Sequence, residues 1–180
     1  MRTSALRPMA LALLGLSLGC GYSLVGRGIT TDPSIKRIGV PLFKDRTGKL
    51  GLDQKVTQKV TEELLRRGRF DVVPQATGVD ALVEGEGIAY NVQPIGFGDV
   101  AVASGTQTQA SRYAISLVAR VKYSKVGQTE PIWQSESFSF RDEYDVGDNP
   151  ANFFDREDQT IERMSTQFAK NLVSAMLEAF

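Results

Sequence analysis

Residues 112–125 alternate more strictly than any other stretch of this chain. Tyr113, Ile115, Leu117, Ala119, Val121 and Tyr123 share one side, and Arg112, Ser116, Arg120 and Lys122 share the other. A period of two is the signature of a strand with one buried face and one wet face. Such a strand constrains what surrounds it, because its apolar side must be covered and its edges paired. Gly127-Gln128 reads as a hairpin turn, and residues 132–140 as the returning strand. By spacing, that strand sets Ile132, Phe138 and Phe140 on one face and Trp133, Ser135, Ser137 and Ser139 on the other.

The cover comes from two helical stripes. Over residues 50–67 Leu52, Val56, Val60 and Leu64 recur every four residues, with Asp53 early, Arg66 and Arg67 late and Gly68 beyond. From Asn152 onward Ile161, Met164, Phe168, Leu172, Ala175 and Ala179 recur at three and four, with Pro150 just before. Residues 35–43 and 70–74 have strand composition, and Pro41 marks an edge or a strand end. Residues 81–92 alternate, placing Leu82, Ile88, Tyr90 and Val92 opposite Gly85, Gly87 and Ala89. Residues 94–111, rich in Gly, Ser, Thr and Gln, read as a long connection, and long connections in compact domains are usually functional or disordered. The expectation is an α+β fold, with two helices on one face of a roughly four-stranded, mostly antiparallel sheet.

The first residues stand apart from that fold. Arg2 and Arg7 precede a run of leucines and small residues that ends at Gly19, directly before Cys20. A charged start and a short apolar run make a secretory signal, too short for a spanning helix. A small residue abutting the single cysteine is the arrangement of a bacterial lipobox. There the thiol takes a diacylglycerol, since the thiolate is the nucleophile, and cleavage leaves Cys20 as the acylated N-terminus. Ser17 and Leu18 fit that motif more loosely than Gly19. The expected organisation is a signal peptide over 1–19, a lipidated tether over 20–34 and one α+β domain over 35–180.

Composition removes several classes of function. The chain has no histidine and one cysteine. With Cys20 acylated, no thiol remains for a disulfide or a metal site, and the commonest general base is absent. The leader holds two of the 21 basic residues and none of the 21 acidic ones, so the remainder carries 19 against 21. A near-neutral domain has no global field to attract nucleic acid. The carboxylates at Asp142, Glu143 and Asp145, and at Asp155, Glu157 and Asp158, sit in a loop and at a helix start, where acids solvate and cap. Calcium binding by the first group lacks the loop spacing. Gly96-Phe-Gly98 and Gly26-Arg-Gly28 are too short for a nucleotide fingerprint. No enzyme is expected, and no cofactor beyond the diacylglycerol and N-acyl chain on Cys20.

Cys20-Gly-Tyr-Ser-Leu, Ile35-Lys-Arg-Ile-Gly-Val-Pro-Leu-Phe43, Gly51-Leu-Asp53 and Leu82-Val-Glu-Gly85 with Ile88 and Tyr90 resemble the lipopolysaccharide-assembly lipoproteins (LptE-like). The resemblance runs through nearly the whole mature chain. It implies a palmitate-bearing lipoprotein of the outer membrane, facing the periplasm, that fills a large translocon β-barrel and helps deliver lipopolysaccharide to the surface. Its implied partners are that barrel, lipopolysaccharide and the membrane holding the anchor. A strand ending in Pro-x-Phe, a helix and then Arg69-Phe-Asp-Val-Val73 also resemble peptidoglycan-synthase activators and curli-secretion lipoproteins.

Two sets of site residues follow. Phosphorylated sugar must be met by cations, and Arg112, Arg120 and Lys122 share a strand face, which makes them the candidate lipopolysaccharide contacts, against the alternative of an ordinary solvated face. Trp133, Ser135 and Ser137, with Ser139 and the 94–111 stretch, are the candidate barrel interface. Small residues permit close approach, and a lone tryptophan serves as an anchor or, alternatively, as one more core residue.

Overall fold

The computed structural model describes residues 32–67, 69–147 and 149–178. The leader, Cys20 and the tether as far as residue 31 lie outside the described residues, as do Gly68 and Ala179. In chain order the described elements are β1 (Arg37–Gly39), β2 (Lys44–Asp45), α1 (Leu52–Arg66), β3 (Asp71–Val73), β4 (Ala81–Val102), β5 (Gly105–Lys125), β6 (Trp133–Asp145) and α2 (Phe153–Leu177). A short 3-10 turn at Pro150–Asn152 leads into α2.

These strands form one sheet in the order β3-β1-β4-β5-β6, with β2 also alongside β4. The long ladders β4–β5 and β5–β6 are antiparallel, whereas β1 runs parallel to β3 and β4, and β2 parallel to β4. The α+β class is therefore as expected from the sequence, with more strands than the roughly four anticipated. Pro41 accounts for part of the difference. Pairing stops at Gly39 and resumes at Lys44, farther along β4, so the 35–43 run supplies one short strand and a second follows directly after it.

Both helices cover the face defined by Ile115, Leu117, Ala119, Val121 and Tyr123, all at most 2 % exposed. From α1 the stripe Leu52, Val56, Val60 and Leu64 reaches this core, and from α2 Ile161, Met164, Phe168 and Leu172 do so. Phe168 meets Phe138 of β6 edge-on at 5.2 Å between ring centroids. The α2 stripe then continues through Val173 and Met176, while Ala175 is only half-buried. Each fully buried side chain of this size contributes about 1.5–3 kcal/mol. Gly85 has a specific reason to be glycine, because an added Cβ would lie 2.2 Å from the Phe43 ring that covers it.

Bulges overturn two of the face assignments made by counting twos. In β4 the register slips between Gly87 and Ala89, with Ile88 as the extra residue. Ala81, Val83, Gly85 and Gly87 therefore face the helices together with Tyr90 and Val92, and Ile88 is 37 % exposed. In β6 the register slips opposite Ala119 and Val121, so Ser135 and Trp133 pair on the same side as Phe138 and Phe140. A single extra residue reverses every later side chain.

Residues 94–111 are the largest departure from the sequence reading. They are a continued ladder instead of a connection: β4 and β5 pair from Ala81↔Lys125 out to Val102↔Gly105 around a turn at 103–104. Backbone pairing gives this stretch its order without an apolar face, which alternation counting cannot detect.

Candidate functional site

Two features of the described domain offer recognition chemistry: the sheet face without helices, and the ribbon that extends beyond it. The open face carries Glu84 and Glu86 from β4, Arg112, Arg120 and Lys122 from β5, and Glu136, Arg141 and Asp145 from β6, placed by cross-strand register. Its charges are largely matched. Arg120 Nε donates to Glu136 Oε2 at 2.6 Å and its NH1 to Glu86 Oε2 at 2.9 Å. Glu86 also holds Arg46. The two carboxylates, Glu136 foremost, hold the Arg120 guanidinium above its ordinary value. Arg112 Nε donates to Asp145 Oδ1 at 2.7 Å and is raised in the same way by that bond.

The three candidate cations therefore do not form one site. Arg112 and Arg120 share a strand face but stand eight residues apart on β5, about 26 Å at the strand rise. Arg120 and Lys122 do come together, and the structure adds Lys44, which sequence reasoning missed. Lys44, Glu84, Gly85, Glu86, Arg120 and Lys122 line a shallow depression of about 190 Å³. Lys44 gets there because β2 pairs with β4 in parallel, Lys44 opposite Glu86. No local signal in the sequence announces that pairing. Among the described residues neither Lys44 nor Lys122 makes an ion pair. The depression thus presents two available ammonium groups beside a neutralised guanidinium, a setting suited to a phosphate or carboxylate group.

The Trp133, Ser135, Ser137 row is not one surface. Trp133 packs edge-on against Phe138 at 6.0 Å and borders the core under the helices, and Ser135 lies on the same side. Ser137 and Ser139 are exposed. The cause is the β6 bulge between Ser135 and Phe138 already noted.

Where β6 ends, the sheet narrows to the β4–β5 ribbon. Past Arg112, which pairs with Asp145, two strands continue alone to the turn. Phe97 there is 66 % exposed. Inward from the ribbon, a buried polar knot ties β4 to the start of α2. The Tyr90 hydroxyl donates to Glu157 Oε1 at 2.6 Å, and Lys49 Nζ lies 2.9 Å from the same oxygen. Burial first, then Glu157, pushes the Tyr90 hydroxyl far above its usual range. Beside it a groove of about 560 Å³ runs between Asp145, Asn149 and Asn152 and the Arg156, Gln159 and Arg163 side chains of α2. Arg163 is held there by Asp142 at 2.8 Å and by the Glu143 carbonyl at 3.1 Å.

Among the described residues no group of three or more metal-ligating side chains occurs, and no helix is long and apolar enough to cross a membrane. The fold and its surfaces define a class first: an α+β domain with a helix-covered core, a charge-laced open sheet face and a projecting ribbon. The family follows from the sequence. Residues 35–176 match the LptE family of lipopolysaccharide assembly, and the chain belongs to that family. It is a family of envelope lipoproteins.

Comparison with solved structures gives similarities at low identity. A Xanthomonas campestris protein is similar at a TM-score of 0.50 with 11% identity, over 81% of this chain and 85% of that one. The rare lipoprotein B of Shewanella oneidensis is similar at 0.45 with 14% identity, over 79% and 95%. A minor lipoprotein of Acinetobacter baumannii is similar at 0.48 with 8% identity, over 80% and 92%. No curated protein matches the sequence significantly.

Proposed function

We propose that this protein is a lipoprotein of the outer membrane that partners a lipopolysaccharide-translocon β-barrel, supports its assembly and assists delivery of lipopolysaccharide to the cell surface. The match of residues 35–176 to the LptE family carries this reading. The Arg2–Arg7 leader ending at Gly19-Cys20 supplies the anchor it requires. A diacylglycerol and a third acyl chain on Cys20 hold the domain stably, whereas one chain alone binds marginally. The protein acts by binding and carries out no chemistry of its own. In this reading Lys44, Arg120 and Lys122 take an anionic group of the glycolipid, and the exposed Ser137 and Ser139 with the ribbon face the barrel.

The test is affinity purification of the tagged full-length protein from its own membranes, with partners identified by mass spectrometry. A stoichiometric large β-barrel is the expected result, and Cys20→Ser should abolish incorporation of labelled palmitate. Recovery of a peptidoglycan synthase or a curli-type pore in place of that barrel would overturn the reading and favour the other resemblance.

A further inference from the structure

The ribbon beyond β6 has two outer edges, and they differ in how they are guarded. Unpaired strand edges attract other strands, so proteins ordinarily blunt them with charge, proline or bulges. The β4 edge is blunted in all three ways. Pro94 lacks an N–H, Ile95 is an extra residue where the register slips between Pro94 and Gly96, and Asp99 brings a charge. The β5 edge carries one bulge, at Ser111 beside the end of β6, and is plain beyond it. Gly105-Thr-Gln-Thr-Gln-Ala-Ser111 has no charge and no proline. Among the described residues it has no strand on its outer side, because β6 pairs only from Arg112 onward. One further bond, from Val146 N–H to the Ser111 carbonyl at 2.9 Å, closes the place where β6 leaves the sheet. The ladder thus stops with seven residues of β5 unmatched on their outer side except at the Ser111 carbonyl.

We infer that residues 105–111 of β5 accept an added strand: an extended, uncharged segment of the barrel partner, which continues the sheet where β6 leaves off. This rests on the proposed function for the identity of the partner. The chemistry of the segment is set by the edge. No charged residue occurs from Val100 to Ser111, in a chain that is 23% charged. A charge directly opposite this edge would be left without a counter-ion, whereas small, hydroxyl or amide side chains pair with Thr106, Gln107, Thr108 and Gln109 across the strands. A second copy of this chain fits poorly. Seven paired residues on each side bury far less than the roughly 1,200 Å² that a stable interface needs. The edge therefore serves as one part of a larger contact, and a partner that surrounds the domain supplies the rest.

Amide hydrogen exchange tests this on two samples, the complex recovered from its own membranes and the full-length protein alone in the same detergent. Added main-chain hydrogen bonds should slow exchange within residues 105–111 by about tenfold or more in the complex. Residues 96–102 of β4 should change little. If the barrel is recovered and 105–111 exchange as fast in the complex as alone, strand addition is wrong while the proposed function stands. Protection of 96–102 in its place also overturns it. So does protection of 105–111 in the protein alone that grows with its concentration, because a second copy would then be the occupant. Recovery without any barrel overturns the inference and the proposed function together.

Discussion

Gly85 and Phe43 make a contact whose removal can be calculated in advance. An alanine Cβ at position 85 would lie 2.2 Å from two ring carbons of Phe43 and 2.6 Å from a third. Nothing short of displacing the ring relieves this, and the ring is 4 % exposed, with its backbone N–H held by Thr57 Oγ1 at 3.0 Å. Overpacking of this kind costs typically about 1–3 kcal/mol. If Phe43 is expelled outright, the loss of its burial adds roughly 1.5–3 kcal/mol. Gly85→Ala should therefore destabilise by about 2–4 kcal/mol. For a domain of this size that lowers Tm by about 6–15 °C. Thermal melts of the full-length protein, followed by far-ultraviolet circular dichroism, read this directly. The decisive comparison is a double-mutant cycle with Phe43→Leu, whose smaller side chain gives the new methyl room. The two changes should be less costly together than separately, by about 1 kcal/mol or more. A melt of Gly85→Ala within error of the native protein, or strict additivity with Phe43→Leu, would refute the packing argument.

Three further outcomes follow from other parts of the molecule. The Lys125 ammonium, bonded to Asp32 at 2.6 Å, together with the Ser34 amide, lowers the Asp32 pKa to about 2. Because the folded value lies below the ordinary one, its stabilisation is fully present above pH ~4 and is lost as pH falls through 2; a carboxyl NMR titration should show that midpoint, and Lys125→Met should return it toward the ordinary value. Tyr90→Phe removes a donor from the buried Glu157 and should cost about 1–3 kcal/mol by denaturant unfolding, and a change below a few tenths would show that Lys49 alone satisfies that carboxylate. Lys44→Glu with Lys122→Glu should weaken lipopolysaccharide binding by about tenfold or more, at the strength of charge-assisted bonds, whereas Arg112→Glu should not; equal losses in a binding titration would make the open face one diffuse cationic surface.

What the sequence disclosed and what it hid divide along a physical line. Helices α1 and α2 were legible because an apolar stripe recurs without interruption, and the helix period has no way to slip within Leu52–Leu64 or Ile161–Leu172. The core face of β5 was legible for the same reason, since Tyr113 to Tyr123 contains no bulge on that strand. Strands β4 and β6 were read with the wrong faces beyond Ile88 and before Phe138. A bulge is one extra residue, and Ile88 or Ser137 looks like any other position in the count. The ribbon was hidden because its order comes from main-chain bonds between residues with no shared apolar side. Of the candidate cations, Arg120 and Lys122 line one depression and Arg112 stands apart from it. Their carboxylate partners and Lys44, however, arrive from other strands through pairings that no local pattern encodes.

The placement of the chain's two ends of interest can itself be measured. Asp32 Oδ2 lies 2.6 Å from Lys125 Nζ, which in turn is 2.7 Å from Ser34 Oγ. Asp80 receives the N–H groups of Lys36 and Arg37 at 2.9 and 2.8 Å. Together these bonds fasten the start of the described domain to the row where Ala81 pairs with Lys125. The ribbon turn lies at the opposite end of the same ladder, after the pair Val102↔Gly105. At a strand rise of ~3.3 Å per residue, shortened by twist and bulges, the two ends stand on the order of 60 Å apart. On the proposed function, a tether that joins at one pole leaves the other free to reach deep into a partner. Spin labels at Ser34 and Ser104 should report a distance near 60 Å by pulsed electron paramagnetic resonance. The distribution should be broad in the isolated protein, because a two-stranded ribbon without a covered face bends easily, and should narrow in the complex if the ribbon is held. A mean distance well below this value in both samples would show the ribbon folded back on the domain, and the opposed arrangement of Ser34 and the ribbon turn would be wrong.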